Sequence, residues 1–258
     1  MSFETILKEK KGYVGTIVFN RPDYLNTFNS QMAVEFNSAL EELEQDDEVR
    51  VVVVKGEGKA FSAGIDVNEL KGKKPVEYLR WSELMGKMCL TIAKMSKPVI
   101  VSVQDLAIAN GIGLVAAADL AIAAEGARFG ATAVNVGLFC MGPAVPLSRH
   151  LGKKKTLELV LTGDLIDAAE AERLGLVNKV VPLEKLEAET MQLAEKIAEK
   201  SPLAVQLGKT AFYQMSDLPY EKAFESTNSL FTLLCTTEDA HEGVDAFKNK
   251  RLPQWKLR

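Results

Sequence analysis

The sequence is poor in the residues that do the most specific chemistry. Its 258 residues include three cysteines, Cys89, Cys140 and Cys235, and no C-x-x-C pair. An odd number of widely spaced thiols fits a reducing compartment and excludes a disulfide framework. The two histidines, His150 and His241, are too scattered to hold a metal, so none is expected. His150 lies beside Arg149 and Lys153 to Lys155 and reads as surface. No G-x-S-x-G occurs, and so few bases leave little material for a serine hydrolase triad. No apolar run reaches the roughly 18 residues that a membrane helix needs. The stretch from Ile112 to Ala124 comes nearest, and Asp119 interrupts it. The opening MSFETILKEKKG is charged at once and has no apolar core, unlike a secretory signal, and the closing KLR is not S-K-L. A cytoplasmic location is the expectation. Basic excess is also missing: the net charge is −4, which argues against nucleic acid as a partner.

What is present is ordinary globular material, 47% hydrophobic and 26% charged. A chain of this length can bury a core without staples. Val14 to Phe19 is a β-type run stopped by Arg21-Pro22. Met32, Phe36, Leu40 and Leu43 recur at helical spacing, with Asn29 or Ser30 available as a cap. Val51 to Val54 is a continuous β-branched run, the mark of a strand buried on both faces. A helix over Val76 to Met95, a strand over Pro98 to Val103, a buried helix over Ile112 to Ala118 and a strand over Leu120 to Ala123 follow. This alternation predicts an α/β fold with largely parallel pairing. Asp167 and Glu170 look like a capping box for a short helix ended by Gly175, and Val177 to Val181 reads as a strand. Beyond Leu183 only helical periodicity remains, broken at Pro202 and Pro219. The division is therefore a core over 1–200 and a helical C-terminal subdomain over 201–258.

Single motifs decide little. Gly111-Ile-Gly-Leu-Val-Ala116 fits G-x-G-x-x-A, but seven residues separate Val103 from Gly111, whereas a dinucleotide fingerprint follows its strand directly. Asp66 can be read as the cap of the next helix, with Glu69 three residues on. The series is more specific. N20-R-P-D-Y-L-N26, K59-A-F-S-A-G-I-D66, K97-P-V-I-V-S-V103, A107-I-A-N-G-I-G113, A127-R-F-G130 with V136-G137, L161-T-G-D164, A168-A-E-A-E-R-L-G-L-V-N178 and A246-F-K-N-K-R-L-P253 occur in order. Together they resemble the motifs of the crotonase (enoyl-CoA hydratase/isomerase) superfamily over nearly the whole chain.

That resemblance implies a ClpP/crotonase-like ββα-superhelix core and a helical tail that mediates trimerisation, giving a homotrimer or a dimer of trimers. It implies an acyl-CoA thioester as substrate, with no further cofactor, no nucleic acid and no membrane. The thioester carbonyl would lie between the backbone N–H groups of Ile65 and Asn110. An enolate formed next to a thioester needs such preorganised donors, and a helix N-terminus at Asn110 favours negative charge. Asp23, Tyr24, Leu25, Ala63, Gly64 and Asp66 would line the CoA channel, and Phe247 and Lys250 would reach CoA, often that of a neighbouring subunit.

The family's two catalytic glutamates have no counterpart. Gly113 and Ala133 stand at their positions, and Leu138-Phe-Cys-Met-Gly142, where related members place an acid, has none. Cys140 there reads as a small buried hydrophobe. The missing side chains predict room for a bulkier acyl group or for water. Three functions follow: an enzyme that stabilises a thioester enolate, a catalytically weak acyl-CoA binder or a relative with another reaction such as hydrolysis or decarboxylation, and a nicotinamide oxidoreductase.

Overall fold

The computed structural model of the chain describes residues 3–257. The chain opens with an antiparallel hairpin, β1 (Ile6–Lys11) and β2 (Val14–Phe19), turned at Gly12 with φ +56°. Then come α1 (Ser30–Gln45), β3 (Val51–Gly56), β4 (Ala60–Ser62) and α2 (Pro75–Lys94). Next are β5 (Val99–Val103), β6 (Leu106–Ile108), α3 (Asn110–Ala117), β7 (Leu120–Ala124) and β8 (Arg128–Gly130). The second half holds α4 (Met141–Thr162), β9 (Leu165–Asp167), α5 (Ala168–Arg173), β10 (Lys179–Val181) and α6 (Leu186–Ala198). It closes with α7 (Pro202–Met215), α8 (Tyr220–Cys235) and α9 (Glu238–Lys248).

Two sheets organise these elements. The larger runs β1-β2-β3-β5-β7-β10, and every pair after the first hairpin is parallel. The smaller runs β4-β6-β8-β9, with only its last pair antiparallel. The valine run shows how the sequence builds this. Val51 and Val53 point to the face covered by Ala194 and Ala198 of α6, while Val52 and Val54 join the main core under α1 and α2. Alternate side chains of one strand thus feed two cores. In the main core, Phe19 meets Phe28 and Phe36 edge to face at centroid distances of 5.1 and 5.2 Å.

Several caps are those the sequence announces. Asn29 accepts the Met32 N–H at 2.8 Å, and Asp167 accepts the Glu170 N–H at 2.8 Å. β1 is invisible to periodicity, because only Ile6 of its six residues is buried. The smaller sheet is equally hidden, since each of its strands has three residues. The breaks in helical periodicity at Pro202 and Pro219 are helix boundaries, with Pro202 the first residue of α7 and Pro219 the N-cap of α8, and Gly152 (φ 67°, ψ 170°) breaks α4. α7 is tied to the sheet by Lys209, whose ammonium donates to Asp119 Oδ2 at 2.7 Å and to the carbonyls of Ile92 and Lys97 at 2.9 Å. Among the described residues no helix is long and apolar enough to cross a membrane.

Candidate functional site

The N20-R-P-D-Y-L-N26 segment builds the platform for the site. Asn26 is fully buried, and its amide donates to the carbonyls of Glu57 at 2.9 Å and Ala60 at 2.7 Å. Its Oδ1 accepts the Arg21 N–H, and the Ser62 hydroxyl donates to its carbonyl at 2.8 Å. Arg21 Nη2 donates to Asp66 Oδ2 at 3.0 Å, and Asn68 donates twice to Asp66 Oδ1. Burial pushes the Asp66 carboxyl up, but the Arg21 and Asn68 donors outweigh it and hold the group below its ordinary value. Asp66 also begins the short 3-10 helix over Val67–Leu70, so its charge is committed to structure.

Next to it, the chain presents an unused donor. The Phe28 N–H bonds Gly64 O at 2.7 Å, and the Asp66 N–H bonds Phe28 O at 2.8 Å. Groups on an extended chain alternate sides, so the Ile65 N–H points away from Phe28. No described residue accepts it. Gly64 (φ +96°) lies against the start of α3: a Cβ there would sit 2.6 Å from Ala109 Cβ and 3.4 Å from Asn110 N. Asn110 is the first residue of α3, and its N–H also lacks an acceptor among the described residues, as the first four N–H groups of a helix must unless capped. Ala109 before it holds φ 49° and ψ −115°, a region that glycine enters freely and alanine does not. Gly111 seats α3 on β4, since any Cβ would meet Ser62 O at 2.4 Å. That contact accounts for the first glycine of the G-x-G-x-x-A match without a nucleotide.

Ile65, Asn110, Gly113, Ala133 and Ala63 line one cavity of about 910 Å³. Its walls come from α2 (Trp81, Met85, Met88), from the segment leading into α4 (Val136, Leu138, Phe139) and from the first turns of α4 (Met141, Pro143). The polar lining is Trp81, Ser82, Cys89, Asn110, Thr132 and Cys140; the lining residues include no Asp, Glu, His, Lys or Arg. Burial pushes the Cys89 thiol up to about 12. It also raises that of Cys140, against the opposing pull of the Ala133 N–H. Both are therefore neutral thiols rather than nucleophiles. Position 113 is not open. A Cβ on Gly113 would meet Pro143 Cβ at 2.9 Å, so the expected vacancy there is filled by α4.

The other residues singled out lie elsewhere. Asp23 and Tyr24 sit in a short 3-10 helix, Leu25 follows in a left-handed conformation, and the Tyr24 ring stacks 4.6 Å from the Arg21 guanidinium. Phe247 borders a separate cavity with Leu234, Val244 and Trp255, and Lys250 follows α9 with φ 51°. Asp105 is exposed outside the main cavity, and Glu69 lies behind Trp81, accepting its indole N–H at 2.8 Å. Trp81 and Pro143 escape a reading of motifs, although the Trp81, Met85, Met88 spacing marks one helical face. No group of three or more His, Cys, Asp or Glu able to hold a metal occurs among the described residues.

Comparison with known proteins gives the family and the fold. The sequence model of the family described as enoyl-CoA hydratase/isomerase matches residues 9–258. A probable enoyl-CoA hydratase of Rhizobium meliloti is 38% identical over 260 residues, covering 100% of both chains. Human enoyl-CoA hydratase domain-containing protein 3 (mitochondrial) is 35% identical over 243 residues, 94% of this chain and 80% of that protein. Among solved structures, enoyl-CoA hydratase of Mycobacterium smegmatis superposes with a TM-score of 0.95 at 36% identity, covering 98% of this chain and 99% of that one.

Proposed function

Because the chain belongs to the enoyl-CoA hydratase/isomerase family, we propose that it binds an acyl-CoA and stabilises negative charge on the thioester oxygen. The oxygen would accept from the Ile65 and Asn110 N–H groups. The acyl group would enter the cavity of about 910 Å³. The CoA moiety would follow Ala63 and Gly64 past the Asp23–Leu25 turn, with Phe247 and Lys250 in reach of CoA, including that of a neighbouring subunit. The observation that carries the reading is the meeting of two N–H groups without acceptors at the wall of an apolar cavity. In a site that excludes water, such donors act where charge develops.

The reaction has to respect the lining. Hydration adds hydroxide to one carbon of an enoyl group and a proton to the next. With Gly113 and Ala133 at the acid positions, no lining side chain can move that proton. Each missing acid or base forgoes roughly 10²- to 10⁴-fold. Slow hydratase/isomerase-like turnover is the primary reading. The same lining favours a second one, an acyl-CoA binder or a reaction whose proton balance is met by the substrate or water, such as hydrolysis or decarboxylation.

Two measurements test this. Calorimetry should show butyryl-CoA binding more tightly than free CoA, and equal affinities would remove the two-donor site. A panel of enoyl-CoA and 2-carboxyacyl-CoA thioesters, with product analysis, then separates slow hydration from the alternatives. Rapid hydration of crotonyl-CoA would overturn the reading of positions 113 and 133.

A further inference from the structure

Glu69 makes more contacts than its place outside the cavity requires. Its Oε1 accepts the Ser30 N–H at 2.8 Å, and its Oε2 accepts the Ser30 hydroxyl at 2.6 Å and the Trp81 indole N–H at 2.8 Å. Ser30 is the first residue of α1, so the carboxylate also lies at the positive end of a 16-residue helix. Burial pushes the Glu69 carboxyl up, yet the Ser30 and Trp81 donors outweigh it and keep it below its usual value. Three of the roughly four lone-pair sites of the carboxylate are taken, and Glu69 is not among the cavity's lining residues, so it is placed to hold its donors rather than to meet a substrate. Lys73 Nζ, which also donates to the Glu69 backbone carbonyl, stands 5.9 Å from the indole ring centroid.

The far end of this network is the cavity. Trp81 forms part of its wall, beside Val67 and Leu70. Trp81 sits on the loosely held half of α2: of that helix's twenty residues only Met85, Met88 and Ile92 are buried, and none precedes Met85. The indole is only half-buried at the edge of the main core, so packing holds it on one side and leaves its orientation to its polar contacts. A hydrogen bond to an ionised acceptor is roughly twice as strong as one between neutral groups, enough to choose one rotamer over the others.

We infer that Glu69 is a positioning residue that fixes Trp81 as a wall of the acyl cavity and so sets how strongly affinity depends on the acyl group. This rests on the acyl-CoA reading above. A tethered indole gives each added methylene a fixed apolar surface to cover. An untethered one swings, and the gain per methylene falls.

The experiment uses the full chain with Trp255→Phe, so that Trp81 is the one remaining tryptophan of the two. Indole emission is recorded without ligand, and binding of acetyl-CoA and decanoyl-CoA is measured by calorimetry. In Glu69→Leu the emission should move to longer wavelength. The decanoyl-to-acetyl affinity ratio should fall on the order of tenfold, with acetyl-CoA binding kept. Glu69→Gln, which retains an acceptor, should lie between Glu69→Leu and the parent. Ser30→Ala, which removes a Glu69 partner but not the Trp81 bond, should lower the melting temperature and leave emission and ratio unchanged. This control separates positioning from general support of α1, and Glu69→Gln carries the test if Glu69→Leu does not fold. An unchanged ratio or unchanged emission in a folded Glu69 variant overturns the inference. If the parent binds no acyl-CoA, the functional reading falls and the selectivity claim with it, while the unliganded emission still decides whether Glu69 holds Trp81.

Discussion

Pro143 occupies the space that a side chain on Gly113 would need: a Cβ at 113 would lie 2.9 Å from Pro143 Cβ and 3.0 Å from its Cα. The loss of an acid at 113 is thus matched by a gain of packing from α4. Gly113→Glu, alone or with Ala133→Glu, should destabilise the fold by about 1–3 kcal/mol through overpacking and should not gain hydration of crotonyl-CoA. Adding Pro143→Gly removes the ring and the Cβ. Urea melts should then recover part of the loss, with a coupling of about 0.5–3 kcal/mol between the two sites. Additive effects, or full hydratase activity in Gly113→Glu alone, would show that α4 moves aside freely.

Ala109 carries strain at the start of α3. Its φ of 49° with ψ of −115° costs on the order of 1–3 kcal/mol for a residue with a Cβ. Glycine relieves this and gives back about 0.5–1 kcal/mol of unfolded-chain entropy. Ala109→Gly should therefore raise the urea midpoint, by about 1 kcal/mol in stability, with an unchanged m-value. A lowered midpoint would show that contact of the Ala109 methyl with Gly64 outweighs the strain.

Much of this was legible in particular residues. The Val51 to Val54 run reads as a strand buried on both faces, and it is one. Asn29 and Asp167 read as caps because a short polar side chain before an apolar-periodic segment has one good use. The motifs around Ile65 and Asn110 pointed to one site, and Gly64 and Ala109 are in contact distance. What stayed hidden depends on long-range packing. Pro143 and Trp81 come from helices whose apolar residues look like any core stripe. Only the fold shows the Asn26 side chain holding two loops together through its bonds to Arg21, Glu57 and Ala60. Edge and three-residue strands give periodicity too few positions to register.

Acid should unfold the protein over a defined window. Burial raises Glu35, Asp66 and Glu69, but donors outweigh it in each, and all three lie below their ordinary values of 4.5, 3.8 and 4.5. The folded values are the lower ones, so the unfolded chain takes up protons first. The stability these groups confer is complete above the unfolded values and is lost as pH falls through the folded ones. Urea midpoints should be flat from pH 7 to about 5 and fall below about 4.5. Glu69→Gln should start lower and decline less steeply in that window. A wild-type slope in Glu69→Gln would remove Glu69 from the set.

The C-terminal helices should associate. α8 has no buried residue in the single chain, and it exposes Tyr220 at 79%, Phe224 at 56%, Phe231 at 66% and Leu233 at 53%. Large apolar patches of this kind mark interfaces, and fully burying such a side chain contributes about 1.5–3 kcal/mol. A homotrimer or a dimer of trimers, the state that the family resemblance implies, would cover them. Sedimentation at micromolar concentration should give three or six chains. Phe224→Glu with Phe231→Glu would set carboxylates into a face that must become dry, and it should shift the population to monomer while the far-UV spectrum stays helical. A monomeric parent sinks the proposal. A double variant that remains fully assembled would place the contact elsewhere, with the exposed Phe247 the next residue to change.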